Sequence, residues 1–391
     1  MKFIKKWFNN NRQTLKFVTI AFVIWQVILM LIIFLGNKYF SASNQYLYTE
    51  SKAIMSPPWL WNRANFDGMH YLDIARRGYS VYQQTFFPLY PRLIRLIAPV
   101  FGNRGLVAGW TVSLLSFYLA LVYLYKLLRI DFSEKIVKRA LIYLLLFPTA
   151  FFFSMVYTEA LFFLLIVLSF YLAKTKRWWL AGIIAALASA TRLPGIFLLP
   201  ALGIEWWTQY QGQKSGDKKK ELIRGLGSLL LIPLGLLFYM RFLAVVFNDP
   251  LMFVHVQTFF GPGRSADRII LLYQVFWRYF KMLATVDRQT LLYFVVALEF
   301  LTAIISMIFV VFAYLKKWYS YSVFMVLAFI APTLTGTFSS LPRYILVLFP
   351  GFLLLSLWAE KYRWLRIIYP FLAIPLLIFC LILFTRGYWV S

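Results

Sequence analysis

FVTIAFVIWQVILMLIIFL, at residues 17–35, is the stretch that decides the class of this protein. The run is apolar over about 19 residues, which is enough to span the ~30 Å hydrocarbon core of a bilayer and too long for the core of a signal peptide. No small-residue cleavage site follows it. We therefore expect a transmembrane helix that anchors the chain, with its amino end in the cytoplasm.

The composition extends this prediction to the whole chain. Of 391 residues, 62% are hydrophobic and 14% are charged, whereas soluble proteins are roughly 45–50% apolar and about 25% charged. The formal net charge of +26 does not indicate nucleic-acid binding here, because the cations lie in short clusters between long apolar stretches. Such clusters are topology signals. We expect an integral membrane protein in contact with lipids, and no nucleic-acid partner.

Cysteine and histidine are too scarce for a disulfide or a Cys/His metal site. Cys380 is the single cysteine, and His70 and His255 are the two histidines. Structural zinc is therefore excluded, and a metal held by carboxylates alone would have few candidates. We assign no cofactor and no metal ligand, and the sequence does not decide whether the protein requires a metal.

The basic clusters predict the topology. The positive-inside rule places all of them in the cytoplasm, and they lie at residues 2–16, 126–139, 174–177, 214–224, 316–317 and 361–366. The chain must leave and return between consecutive clusters, which predicts about eleven helices. The expected spans are 17–36, 104–125, a short pair in 140–173, a short pair in 178–210, 225–247, 291–315, a short pair in 320–359, and 367–384.

The prediction is thus an all-α polytopic bundle that forms one membrane domain over residues 1–391. It has no soluble domain, and the polar stretch at 211–221 is expected to be a cytoplasmic loop. The first outer loop, at 37–103, is expected to carry short amphipathic helices and a further one is expected near 268–284.

Four segments place polar residues at the outer surface. They are NFDGMHYLDIARRGY (65–79), FPTAFFFSMVYTEALF (147–162), ATRLPG (190–195) and SSLPRY (339–344). Ionisable residues at membrane depth are costly and usually face a cavity or a partner. Because segments far apart in sequence converge on one depth, we expect a cavity at the outer face.

Asp67 is the leading candidate in the first segment. Its structural interpretation is an Asp that caps the helix 68–77, with Arg76 and Arg77 near the end and Gly78 as the stop. Its functional interpretation is a general base for an incoming hydroxyl. The two are compatible, since a helix can hold a capping Asp rigid.

Two neighbours of Asp67 have plainer roles. His70 is expected to share a helix face with Asp67 and to act as a hydrogen-bonding partner. Asp73 is expected to pair with Arg76 or Arg77. Outer aromatic residues can also stack on a sugar, and the candidates are Trp59, Trp61 and Tyr71.

The other segments each supply a charged candidate. Glu159 either stabilises a helix start capped by Thr158 or serves a site, and Arg192 is expected to form an ion pair, for which Glu159 is the candidate partner. Arg343 is placed unfavourably for the helix dipole, which favours a phosphate or carboxylate partner. Glu299, in the span 291–315, is expected to be paired inside the bundle.

These motifs, in order, resemble one family. NFDGMHYLDIARRGY with FFPLYP, then FP-x-AFFFSMVYTEALF, A-x-A-T-R-x-x-G, LPRYILVLFPGF and a terminal GYWVS are similar to the PIG-V mannosyltransferases, over residues 59–391. The resemblance implies a GT-C fold, in which a first-loop acidic residue is catalytic and the donor is a polyprenyl-phosphate sugar. The family usually has Arg-Trp before the Asp, where this chain has Asn65-Phe66, and eukaryotic members have a Glu where it has Met69.

The resemblance implies a mechanism and roles for individual residues. Mannose would pass, with inversion, to a hydroxyl of a lipid-linked or surface-glycan acceptor, with Asp67 as base and Arg192 and Arg343 as phosphate clamps. Glu159 would orient Arg192 or a sugar hydroxyl. The remaining candidates for substrate binding are His70, Tyr71 and Tyr344, with Arg264 and Lys281 as further phosphate candidates.

Alternatives remain open at this point. The enzyme could use another polyprenyl-phosphate sugar, or the chain could be a lipid transporter or a non-catalytic scaffold. A transporter predicts polar residues near the midplane and two related halves, which the sequence does not show. We expect a bacterial member in the plasma membrane, with the site on the extracytoplasmic face.

Overall fold

The computed structural model describes residues 12–43, 57–212, 218–259, 264–265 and 268–391. All regular structure in these residues is helical. Parts of three predicted features lie outside the described residues. They are the basic cluster at 2–16 as far as residue 11, the first outer loop at 44–56, and the loop at 211–221 over residues 213–217.

The longer helices are numbered here in chain order. They are α1 Arg12–Tyr39, α2 Asp67–Arg77, α3 Leu89–Ile97, α4 Gly105–Leu128, α5 Glu134–Leu146, α6 Glu159–Lys174, α7 Trp178–Ser189, α8 Leu198–Gln211, α9 Lys218–Leu231, α10 Leu234–Phe247, α11 Leu272–Thr285, α12 Leu291–Leu315, α13 Tyr319–Thr333, α14 Phe349–Lys361 and α15 Leu365–Thr385.

Single-turn helices and 3₁₀ turns lie between the longer helices. The single turns are Pro58–Trp61, Met252–His255 and Leu341–Tyr344. The 3₁₀ turns are Asn62–Ala64, Gln83–Thr85, Ala98–Phe101, Ala150–Ser154, Leu193–Phe197, Val256–Phe259 and Ile345–Val347. Several of them carry the polar segments that the sequence places at the outer face.

The chain is an integral, multi-pass membrane protein. In the described residues, 5 helices are long and apolar enough to cross a bilayer: α1, α4, α9 with α10, α12 and α15. The bent pair Leu341–Val347 and Phe349–Lys361, with an angle of 78°, raises this number to 6 if it forms one span. Each of these five helices coincides with a predicted single span.

The three predicted short pairs form helices that are too short to cross alone. These helices, α5 to α8 with α13 and α14, have between 12 and 16 residues, and a span needs about 20. The helices end where the chain turns through polar and proline-containing segments, such as Phe147-Pro148 and Arg192-Leu193-Pro194. Length therefore supports five or six of the eleven predicted spans.

The first outer loop packs on the bundle through its own helices. The helices α2 and α3 contact each other and α4, α4 packs closely on α6, and α1 packs on α15. The centre is rich in fully buried aromatic rings, among them Phe117, Phe153 and Phe163. The loop is thus held, through α4, against the helix that carries Glu159, which fixes α2 relative to this residue.

Two helix starts differ from the prediction. The residue before α2 is Phe66, and Asp67 occupies the first helical position without capping it. Thr158 precedes α6 but its side chain makes no capping hydrogen bond. The Asp67 side chain instead pairs with Arg343, and the Thr158 side chain contacts the Tyr71 hydroxyl. The amphipathic helix predicted near 268–284 is α11, Leu272–Thr285.

Candidate active site

A cavity of about 860 Å³ opens where the four polar segments meet. Asp67 and Tyr71 line it from α2, Arg192 from the turn after α7, and Arg343 and Tyr344 from the single turn that follows Ser340. Glu159 lies directly behind Arg192 and Arg343 and is 1% exposed. The predicted convergence of the segments is therefore what the structure shows.

The charged residues form a continuous chain of ion pairs. Asp67 Oδ2 lies 2.7 Å from Arg343 Nη1, and Arg343 Nε lies 3.1 Å from Glu159 Oε1. The same Glu159 oxygen lies 2.5 Å from Arg192 Nη1. Acidic and basic groups alternate along this chain, so its two carboxylates balance its two guanidinium groups. We call these four residues the charge chain.

Burial makes the charge chain sensitive to the loss of a member. The side chains of Glu159 and Arg343 are 2% and 5% exposed, and that of Asp67 is 20% exposed. Breaking a buried pair by deleting one partner typically costs about 3–5 kcal/mol, because a buried charge is left uncompensated. Arg192 and Arg343 are therefore structural as well as available to a substrate.

The environment of Asp67 favours its ionised form. Burial raises the pKa of this carboxyl, but the attraction and hydrogen bond from Arg343 outweigh burial, so that its pKa lies below the ordinary value. At neutral pH the group is a carboxylate that can accept a proton. The pairing with Arg343 also makes it a weaker base than a free carboxylate.

Asp67 is positioned by a strained residue and by the C-terminal helix. Phe66 has φ 58° and ψ −117°, an unusual conformation for a bulky residue that persists only where packing enforces it. Its ring packs on those of Trp389 and Phe384, with centroids 5.4 Å and 5.8 Å away. Asn65 donates from Nδ2 to the Phe384 carbonyl at 2.9 Å. The Asn65-Phe66 pair is thus fitted to α15.

Arg343 is positioned from both ends of its segment. Its backbone N–H donates to Ser391 Oγ at 3.1 Å, so the last residue of the sequence supports the site. Thr149 donates to the carbonyl of Pro342 from the 147–162 segment. The Arg343 guanidinium lies 5.2 Å from the centre of the Tyr157 ring, which adds a cation–π contact.

The Arg192 turn depends on a glycine. A Cβ added to Gly195 would lie 2.3 Å from the carbonyl carbon of Ala188. The turn Leu193–Phe197 can therefore fold back onto α7 only with glycine at this position, which explains the glycine in A-x-A-T-R-x-x-G. The guanidinium of Arg192 lies 4.7 Å from the centre of the Tyr344 ring.

The remaining predicted residues fall both inside and outside the cavity. Tyr71 lines it, and its hydroxyl lies 3.3 Å from Thr158 Oγ1. His70 does not line it; its Nδ1 lies 3.4 Å from Gln83 Nε2, and its ring stacks on Phe86 at 4.8 Å. The hydrogen-bonding role predicted for His70 is consistent with this contact.

Of the two further phosphate candidates, only one lies at the cavity. Arg264 lines the cavity, and its Nη1 donates to Gln257 Oε1 at 3.1 Å. Lys281 is exposed on α11 beside Trp277 and does not line the cavity. The interpretation of Lys281 as a phosphate ligand therefore has no geometric support.

Sequence reasoning missed several residues of the cavity. They are Gln257, Arg268, Tyr279 and Trp389. Tyr279 donates a hydrogen bond to Glu299, which confirms that Glu299 is paired inside the bundle. The sequence held a signal for Arg268, because Arg264 and Arg268 are two cations four residues apart in a loop predicted to be outer, where the positive-inside rule disfavours cations. Trp59 packs on Trp110, at 6.2 Å, away from the cavity.

Comparison with known proteins identifies one family. Residues 15–248, more than half of the chain, match the family described as Mannosyltransferase (PIG-V). Comparison with curated proteins gives no match.

A solved structure resembles this chain at low sequence identity. It is the crystal structure of the Archaeoglobus fulgidus oligosaccharyltransferase in complex with zinc and sulfate, with a TM-score of 0.44 and 13% identity. The match covers 93% of this chain and 53% of that one, so the chain spans about half the length of that protein.

Proposed function

Because this chain belongs to the PIG-V mannosyltransferase family, a family of glycosyltransferases, we propose that it transfers mannose from a polyprenyl-phosphate-mannose donor. The acceptor is a hydroxyl of a lipid-linked or cell-surface glycan. The observation that carries the proposal is the charge chain, in which residues from four distant segments meet at one cavity.

Asp67 is the general base. The acceptor oxygen attacks C1 of the mannose and forms the new glycosidic bond, while the bond between C1 and the phosphate oxygen breaks. The acceptor proton passes to the Asp67 carboxylate, and the electron pair of the broken bond leaves with the polyprenyl phosphate. A single displacement of this kind inverts the anomeric configuration and needs no protein nucleophile.

The arginines bind the leaving phosphate. Arg192, Arg343 and Arg264 line one cavity, and guanidinium groups match the geometry of phosphate oxygens. Negative charge develops on the phosphate as the bond breaks, and cations placed beforehand stabilise it. Glu159 keeps Arg192 and Arg343 in position, since it contacts both. Tyr71 and Tyr344 supply aromatic surface for the sugar.

The apolar walls of the cavity suit a prenyl chain. They come from α11, α12 and α13, and include Met282, Leu292, Val295, Val296, Ala331 and Pro332. Leu292 is 54% exposed on the flank of α12, which in a bilayer would face lipid. This combination of a charged end and an apolar side supports a donor that is an amphipathic lipid.

The proposal includes a topology. One domain over residues 1–391 has about eleven membrane helices, which are five full spans and three pairs of short helices whose turns meet at the outer face. The amino terminus is cytoplasmic, and the site faces the extracytoplasmic side of a bacterial plasma membrane.

The test is transfer by purified protein. Labelled mannose supplied as synthetic polyprenyl-phosphate-mannose should appear in an extracted glycolipid or glycan acceptor, and Asp67→Asn should abolish the transfer. Donors that carry glucose or galactose test whether another polyprenyl-phosphate sugar is the substrate. Movement of the intact donor across a vesicle membrane without hydrolysis or transfer would show a transporter and overturn the proposal.

A further inference from the structure

Asp67 has two incompatible duties in the cavity. As the base it must accept a proton, yet in the structure its Oδ2 holds Arg343 Nη1 at 2.7 Å. A carboxylate paired with a guanidinium has a lowered pKa and is a weaker base. The free protein therefore holds its base in a form that is unsuited to the reaction.

The arginines of the cavity are unequally compensated. Arg343 and Arg192 each contact a carboxylate within the charge chain. Arg264 donates to the neutral amide of Gln257, and neither it nor Arg268 has an ion pair with any described residue. An entering phosphate diester, which carries one negative charge, thus meets Arg264 and Arg268 as cations that no described carboxylate holds in an ion pair.

Arg343 is the group that can move between two anions. Its Nε contacts Glu159 while its Nη1 contacts Asp67. The guanidinium can therefore turn so that Nη1 leaves Asp67 while Nε keeps its contact with Glu159. A cavity of about 860 Å³ lies in front of it. A phosphate anchored by Arg264 and Arg268 would compete with Asp67 for this nitrogen.

We propose that Arg343 is a latch, which pairs with Asp67 in the free protein and is drawn to the donor phosphate on binding, so that the donor unmasks the base. This inference rests on the proposed function. It requires the donor to bind before the acceptor can be deprotonated.

The charges balance through the reaction. When the bond between C1 and the phosphate oxygen breaks, the phosphate gains one negative charge. The acceptor proton at the same time neutralises Asp67, which then no longer needs a cation. Arg343 is therefore required at the phosphate when the phosphate charge is greatest, and its return to Asp67 after proton loss and product release resets the site.

Binding of a non-hydrolysable polyprenyl-phosphonate mannose tests the latch. Asp67→Asn removes the competitor for Arg343 and should tighten binding by roughly three- to tenfold, which corresponds to about 0.6–1.4 kcal/mol. Asp67→Ala, which leaves no acceptor for Arg343 at this position, should tighten binding at least as much as Asp67→Asn.

The matched control is Asp73→Asn. Asp73 lies on α2, outside the cavity, so this variant changes net charge equally and should leave binding unchanged. Equal tightening in the control would show a general charge effect and overturn the latch. Unchanged or weaker binding by folded Asp67→Asn and Asp67→Ala would also overturn it.

These outcomes separate the latch from the proposed function. If the parent protein binds the analogue and transfers mannose, failure of the Asp67 variants to bind more tightly removes the latch alone. If the parent protein neither binds the analogue nor transfers mannose, the proposed function fails, and the latch fails with it.

Discussion

Asp67 Oδ2 and Arg343 Nη1 lie 2.7 Å apart, although 276 positions separate the two residues in the sequence. One residue belongs to the first outer loop and the other to a turn near the C-terminus. Their contact joins the proposed base to a proposed phosphate ligand. It therefore connects the two halves of the chemistry, and most of the expected behaviour of variants depends on it.

Asp67→Asn should yield folded protein with little activity. Loss of a general base typically lowers a rate by 10²–10⁴-fold, whereas the amide can still accept a hydrogen bond from Arg343. Mannose transfer and thermal unfolding in detergent measure the two effects. Asp73→Asn, on the same helix, should retain normal transfer, and near-normal transfer by Asp67→Asn would exclude Asp67 as the base.

Lysine and alanine substitutions of Arg192 and Arg343 should have different effects on activity. Arg192→Lys and Arg343→Lys keep a positive charge but lose the planar two-pronged contact, so each should retain part of the activity. The alanine variants should lose far more activity and bind the phosphonate analogue weakly. They should also be less stable by about 3–5 kcal/mol, because Glu159 or Asp67 is left with an uncompensated buried charge.

A second outcome is possible for the alanine variants. If they are destabilised but bind the analogue as tightly as the parent protein, Arg192 and Arg343 serve the structure alone. Arg264→Ala and Arg268→Ala would then be the variants that weaken binding. Lys281→Ala is the matched control, since Lys281 lies outside the cavity.

The pH at which activity falls on the acid side should differ between kcat/KM and kcat. The kcat/KM for the donor reports the free protein, in which Arg343 lowers the pKa of Asp67. In the donor complex the proposed latch moves Arg343 away, and burial then raises the pKa of this carboxyl. The acid limb of kcat should therefore lie at higher pH than that of kcat/KM. Coincident limbs would contradict the movement of Arg343.

The stability of the free protein should depend on the ionisation of the Asp67 carboxyl and should fall at acid pH. Because the pKa of Asp67 is lower in the folded protein than in the unfolded chain, its contribution is complete above the ordinary Asp pKa of about 4. This contribution is lost as the pH falls through the lowered folded pKa. Asp67→Asn should make unfolding less dependent on pH in this acid range.

Gly195→Ala should damage the site through the backbone. The new Cβ would lie 2.3 Å from the carbonyl carbon of Ala188, so the turn must shift and carry Arg192 away from Glu159. We expect lower transfer activity and a loss of stability of about 1–3 kcal/mol. Gly203→Ala in α8 is the control, since the nearest atom to its Cβ would be 4.0 Å away, and it should unfold no more easily than the parent protein.

Thiol labelling of intact cells should test the sidedness of the site. In a Cys380→Ser background, Ser80→Cys and Gln289→Cys should react with an impermeant reagent from outside, since both positions are exposed on the proposed outer side. Lys316→Cys and Arg363→Cys, in clusters proposed to be cytoplasmic, should react only after permeabilisation. Reaction of the latter pair from outside would invert the topology. Ser391 is unsuitable for labelling because it is 4% exposed.

The membrane class and the single long spans could be read from the sequence alone. Apolar length is a local property, so α1, α4, α12 and α15 appear where 17–36, 104–125, 291–315 and 367–384 were predicted. The short helices could not be counted as spans in this way. Whether a helix of 12–16 residues crosses depends on what it packs against, and this information is not local.

The charged members of the site could also be predicted, but their partners could not. Asp67, Glu159, Arg192 and Arg343 stand out because a charge near a bilayer needs a reason, and the pair between Arg192 and Glu159 was expected. The contact of Arg343 with both carboxylates joins segments 276 positions apart. No periodicity or spacing specifies such a contact, because it results from how the helices pack.

The role of Asp67 at its helix start illustrates the same division. Its position before an apolar face and ahead of Gly78 predicts a helix that begins there, and α2 does begin at Asp67. Capping by its side chain was wrong, because a guanidinium brought by tertiary folding offers a stronger partner than the backbone N–H groups of its own helix. The sequence determined the membrane class, the long spans and the inventory of charges. The tertiary structure alone decided which charges compensate one another, because ion pairing acts through distance in space.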